Sequence, residues 1–219
     1  WSVTSQKSLT IRSNCCSKEF VILYWIMLNF YKIIEIIISL QIIIISTFVP
    51  IFITFPFTNK LISTFEIPIT WQVPSIIIIT LIFNGKIVTK AFSIYLILGL
   101  FFIPVFYKGG SLGYLLTPNF GYLLGIFPLI KIIDNLSNKN KKIKYIDFLK
   151  YGILGISSMH LIGIVYTFIQ LFYFKKLDIL IYSIAKYSLG KFGYHLLMLT
   201  PITLLIKLIN NKYQNNVKS

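Results

Sequence analysis

Long apolar runs separated by short polar, lysine-bearing gaps set the rhythm of this chain. Six runs stand out, at residues 33–57, 67–83, 87–106, 119–136, 146–174 and 194–209. A bilayer core is crossed by about 20 predominantly apolar helical residues, with a range of roughly 17 to 25. Each run is therefore read as a transmembrane helix. Interruptions are few: Glu35 near the start of the first, Pro68 and Pro74 in the second, Lys90 in the third, and Lys131 with Asp134 in the last turns of the fourth. Between the fifth and sixth runs, Leu177, Leu180, Ile181, Ile184 and Ala185 recur at the spacing of one helix face. That segment, 177–189, predicts a short amphipathic helix lying at the membrane surface.

Composition agrees. Hydrophobic residues make up 56% of the 219, charged residues only 12%, and the mean hydropathy is +0.80. Six acidic residues cannot coat a globule of this length in water, so most of the surface faces lipid. The formal charge of +15 does not indicate nucleic acid, because the basic residues sit in the gaps between spans rather than on one face. Placing the gaps alternately on two sides puts 15 of the 21 Lys and Arg on one side, including the lysine-rich loop 135–144. Cytoplasmic loops carry such an excess. The predicted fold class is thus an all-α integral membrane protein of six transmembrane helices in a cytoplasmic membrane, both termini cytoplasmic.

Residues 1–32 read as a polar, basic tail and lead-in, 33–210 as a single membrane domain, and 211–219 as a polar tail. Met27 opens the helical body, and the stretch before it is expected to be dispensable. Cys15 and Cys16 are the two cysteines; adjacent thiols offer neither a disulfide framework nor metal-ligand spacing.

Motifs of enzyme chemistry are missing: no Walker A loop, no HExxH, no nucleophile elbow. His160 and His195 are single histidines on apolar helices, read first as structural hydrogen-bonding residues, although ionisable groups at membrane depth are candidates for function. The informative stretch is 109–125, GGSLGYLLTPNFGYLLG, with five glycines in 17 residues. Backbone that leaves helical form near a membrane lines a cavity or is buried in protein, and glycine lets it approach a ligand closely. Asn119 is placed to cap the fourth helix, whose N-terminus would attract a carboxylate. The loop 108–118 is expected on the outer face, covering the ligand. A glycine-rich turn that merely lets helices pack is the competing reading.

Three elements resemble those of a known family. Residues Ile67-Pro68-Ile69-Thr70-Trp71-Gln72 are similar to its P-I-T-x-Q element. The run Tyr95-Leu96-Ile97-Leu98-Gly99, followed by Pro104-Val105-Phe106, is similar to its Y-L-L-L-G and P-V-F element. Gly109-Gly110, Gly113, Pro118 and Gly121-Tyr122-Leu123-Leu124-Gly125 are similar to its third, glycine-rich element. The order and spacing over residues 67–127 resemble the BioY family, the biotin-specific substrate-binding components of energy-coupling-factor transporters.

The resemblance implies a biotin-binding protein with no cofactor and no catalytic residues. It would work with energy-coupling-factor ATPase and transmembrane coupling subunits, or alone as a facilitator. Gln72, Asn119 and Thr203 are then candidates for the ureido ring. Tyr122 and Lys207, with the fourth-helix N-terminus, are candidates for the carboxylate. Tyr95 and Tyr114 would pack on the apolar ring and chain, while Gly110, Gly113 and Gly121 would give close backbone approach. The chain departs from the family at its last helix, where Thr203 stands in place of an acidic residue and Lys207 lies one residue late. A step of one residue is about 100° around a helix. Two alternatives therefore stay open: a substrate-binding component for another vitamin, and a structural membrane protein without a ligand.

Overall fold

Residues 27, 29–55, 63–106, 109–139 and 145–218 are described in the computed structural model. In chain order they form α1 (Asn29–Phe48), strands β1 (Pro50–Phe55) and β2 (Ser63–Thr70), α2 (Gln72–Ile82), α3 (Gly85–Phe101) and a 3-10 turn (Leu112–Leu116). Then follow α4 (Pro118–Leu124), α5 (Ile126–Lys139), α6 (Tyr145–Tyr173), a second 3-10 turn (Leu177–Ile179), α7 (Leu180–Ile184), a π turn (Ala185–Leu189) and α8 (Gly190–Lys218). Helices α4 and α5 are one span with a step at Gly125, so six helical spans are present, as the apolar runs predict. Two of these, α1 and α6, are both long and apolar enough to cross a bilayer on their own, and α2 is a shorter apolar helix. The outer surface is that of a membrane protein: Ile45, Ile82, Phe101, Leu161, Ile169 and Phe172 are all exposed. In water such a surface would aggregate.

Polar groups mark the two ends of the bundle. The start of α1 and the α2–α3 turn share a groove lined by Lys32, Glu35, Asn84, Lys86 and Lys90. Nearby, the Gly85 amide at the start of α3 donates to Asp134 of α5 at 2.8 Å, which answers one of the open N–H groups of that helix end. These lysines belong to the majority set of the charge count. The hairpin, the 3-10 turn and residues 174–189 lie at the opposite end.

A hairpin interrupts the first two predicted spans. The first predicted span, 33–57, is helical only to Phe48 and then enters β1, and the second, 67–83, begins as β2. An apolar run rich in β-branched and aromatic residues does not distinguish strand from buried helix by period alone. Pro50 ends the helix, since proline disfavours helical geometry in the residue before it. The strands pair antiparallel, with Ile51 opposite Ile67 and a bulge between Pro50 and Ile51. Ile51, Ile67 and Ile69 form a small apolar cluster against Tyr194 and Met198 of α8. The Trp71 amide donates to the Val49 carbonyl at 3.0 Å, closing the base of the hairpin.

Segment 177–189 is a continuous coil of 3-10, α and π geometry rather than one regular amphipathic helix. Its inward face is also the reverse of a soluble one. Ser183 and Ser188 are buried while Ile181, Tyr182 and Leu189 are exposed. With lipid outside, apolar side chains have no reason to turn inward, and hydroxyl groups find their partners only within the protein. The sixth span, predicted as the shortest at 194–209, runs from Gly190 to Lys218.

Helices α4, α5 and α6 pack on missing side chains. A Cβ at Gly125 would lie 2.5 Å from the Met159 carbonyl oxygen and 2.7 Å from its Cα, both backbone atoms of α6. A Cβ at Gly163 would overlap the Tyr122 ring, and one at Gly121 would overlap Tyr166. Small residues give membrane helices this proximity where no hydrophobic effect drives them together. Replacing Gly125 with Val should separate the α4–α5 step from α6 and cost about 1–3 kcal/mol, the usual cost of overpacking. The measurement is a thermal midpoint in detergent, expected to fall well below that of the parent protein.

Candidate functional site

A cavity opens at the end of the bundle that carries the hairpin. Its cavity volume is about 120 Å³, and its mouth is open. Six parts of the chain wall it: Pro50, Ile67 and Ile69 of the hairpin; Gln72 and Val73 at the start of α2; Tyr114; Asn119, Tyr122, Leu123 and Ile126 of the α4–α5 span; Met159 and His160 of α6; and Tyr187, Lys191 and His195 around α8. Isoleucine, valine, leucine and methionine supply apolar walls. Amide, phenol, imidazole and ammonium groups are spaced among them.

The polar groups are held from behind. Gln72 is buried to 8% exposure, yet its Nε2 has no hydrogen-bond partner among the described residues. A buried amide donor left open costs about 1–3 kcal/mol, and the Gln72 amide lies beside the hydroxyl of Tyr95. The Tyr122 hydroxyl is buried, beside the hydroxyls of Ser188 and Thr167. Its ring meets His160 edge-on at 5.5 Å in the space left by Gly163. Tyr114 leans on Phe106 at 4.6 Å, and burial pushes its hydroxyl ionisation up, so it stays a neutral phenol. Lys191 has its ammonium 5.5 Å from the centre of the Tyr187 ring.

The residues singled out from sequence separate into two groups. Gln72, Tyr114, Asn119 and Tyr122 come together on the cavity wall. Asn119 stands at the second position of α4: Thr117 is the N-cap, without a side-chain cap bond, and Pro118 takes the first turn, where its fixed φ suits it. Tyr95 lies in the core behind Phe106, fully buried, with its hydroxyl 3.2 Å from Thr47 Oγ1. Gly110 packs on the end of α3, where a Cβ would sit 2.5 Å from the Gly99 carbonyl oxygen. Gly113 is exposed with room for a side chain, its nearest neighbour being Ser111 at 3.3 Å. Gly121 faces α6. Thr203 is buried and bonds the Thr200 carbonyl of its own helix, and it is not among the cavity residues. Lys207 lies on α8, its side chain outside the described residues. Met159, His160, Tyr187, Lys191 and His195 complete the wall and were not among the expected site residues. For the two histidines the signal was present: they are the only histidines of the chain, and both lie at membrane depth.

The comparisons agree with this architecture. The BioY family matches residues 25–204. A protein of Lysinibacillus sphaericus described as "Probable biotin transporter BioY" is 28% identical over 110 residues, 48% of this chain and 54% of that protein. The chain thus aligns with about half the length of that curated relative. A crystal structure of the S-component for biotin from an ECF-type ABC transporter superposes with a TM-score of 0.54, covering 82% of this chain and 92% of the other at 18% identity. At that identity the likeness is one of fold.

The roof at the Tyr114 side is tied to α6 by two bonds to backbone carbonyls: Tyr166 to Leu115 and Gln170 to Leu116. Tyr166→Phe with Gln170→Ala removes both, at about 1 kcal/mol each. Amide hydrogen exchange of residues 112–116 should then speed up by on the order of 10-fold or more, with α6 itself unchanged. Equal protection in the double variant would show that the turn is held elsewhere.

Proposed function

The chain belongs to the BioY family, matched over residues 25–204, and on that premise we propose that it binds biotin at the outer face of a cytoplasmic membrane and serves its uptake as a substrate-binding component. The observation that carries the reading is the cavity: a mixed apolar and polar pocket at the end opposite the lysine-rich loops. Biotin has an apolar bicyclic body, a ureido group with two donors and one acceptor, and a carboxylate. Ile67, Ile69, Val73 and Met159 suit the body. The open Nε2 of Gln72 suits the ureido oxygen, and the Asn119 amide, with both donors and an acceptor, suits its N–H groups. Lys191 puts a positive charge on the α8 wall. No bond is made or broken in the ligand, so the protein is not an enzyme. The energy for pumping comes from energy-coupling-factor ATPase and transmembrane coupling subunits; without them the chain would act as a facilitator.

Thr203 lies off the cavity where the family carries an acidic residue, and this favours testing other vitamins beside biotin. Calorimetry on the detergent-solubilised protein with biotin, thiamine and riboflavin decides between them. Biotin should bind below micromolar concentrations and the other two should not; the reverse preference would replace the reading, and binding of none of the three would sink it. Gln72→Leu should weaken biotin binding by about 10-fold, the equivalent of one buried hydrogen bond of ~1–1.5 kcal/mol, without lowering the thermal midpoint.

A further inference from the structure

Three side chains from three elements form a hydrogen-bonded line that ends at the cavity. Ser188 of the π turn lies 3.1 Å from His160 Nδ1. His160 Nε2 lies 3.1 Å from His195 Nδ1 on α8. All three residues are buried. The His160 ring is fixed between two aromatic edges, Tyr122 at 5.5 Å and Phe192 at 5.2 Å. His160 and His195 both line the cavity, and the ring nitrogen of His195 not used by the line is Nε2.

An N···N bond of this length needs one N–H and one lone pair. The line therefore has two proton arrangements with the same number of protons. In the first, Ser188 donates to His160 Nδ1, His160 Nε2–H donates to His195 Nδ1, and His195 carries its proton on Nε2. In the second, His195 Nδ1–H donates to His160 Nε2, His160 Nδ1–H donates to Ser188, and His195 Nε2 is a bare lone pair. A hydroxyl both donates and accepts through one atom, so Ser188 closes the line in either state. The cavity wall at His195 thus offers a donor or an acceptor, according to what occupies it.

Lys191 and His195 are four residues apart on α8 and share one face of it. We propose that an acceptor-only group, the carboxylate end of the ligand, lies along this face and selects the first arrangement, receiving the His195 Nε2–H. His195 is then a specificity-determining residue for the acid end, and Ser188, acting through His160, a positioning residue. The inference rests on the biotin reading and adds which wall takes the carboxylate.

With two histidines in the chain, 15N-histidine labelling yields four ring-nitrogen signals, which report the tautomer of each ring. Saturating biotin should drive His195 to the Nε2–H form, and biotinol, which has a hydroxyl in place of the carboxylate, should not. The parent protein should prefer biotin to biotinol by about 10-fold or more, as befits a hydrogen bond to a charged group. His195→Phe should shrink that ratio to near unity. Ser188→Ala should leave His160 Nδ1 without its partner and weaken biotin binding about 3- to 10-fold. Biotin binding with unchanged ring-nitrogen signals, or an undiminished biotin preference in His195→Phe, would overturn this inference alone. A parent protein that binds no biotin would overturn the functional reading and this inference with it.

Discussion

The contact of backbone with backbone between the α4–α5 span and α6 is the constraint on which the rest of the structure depends. Gly125 sits against the Met159 carbonyl, and Gly163 leaves the space that the Tyr122 ring fills. In a bilayer apolar surface gains little by leaving lipid, so helices associate through close packing and hydrogen bonds. A side chain at either glycine would push α6 outward and carry Met159 and His160 with it. Both residues are cavity wall. The shape of the pocket is therefore set one layer behind its surface, by positions that touch no ligand.

The same solvent explains the polarity of the outer elements. Along 177–189 the hydroxyls of Ser183 and Ser188 turn inward and Ile181 and Leu189 turn outward. Polar groups collect where the helices leave regular geometry: at the hairpin base, the 3-10 turn and the π turn. Irregular backbone at membrane depth persists where it lines a cavity or is covered by protein, and π turns in helices are often found at functional sites. The cavity lies among these irregular pieces.

Helical spans were legible because a run of about 20 apolar residues has few other uses. Spans four and five, 119–136 and 146–174, correspond closely to α4–α5 and α6. The hairpin was hidden for a physical reason: β1 and β2 are as apolar as the helices they join, and an apolar run carries no period to betray its pitch. Four of the proposed site residues, Gln72, Tyr114, Asn119 and Tyr122, gather at the cavity because they lie in the motif-bearing third of the chain. On the α8 side His195 alone carried a signal, as an ionisable group at membrane depth. Lys191 and His195 lie outside the motif-bearing third, and the bonds of His160 to Ser188 and to His195 span sequence separations of 28 and 35 residues, which no local pattern reveals. Thr203 and Lys207 were chosen by their place in a motif, and the helix turns Thr203 away from the pocket.

The hairpin has its own small apolar cluster, Ile51, Ile67 and Ile69, separate from the main core. It touches the bundle through Tyr194 and Met198 and is anchored at its base by Trp71 and Val49. Among the described residues this is a smaller packed unit than the main core, and such units have a local stability below that of the whole fold. The wall that Ile67 and Ile69 give the cavity thus rests on a packing of its own, apart from the packing that holds the helices together.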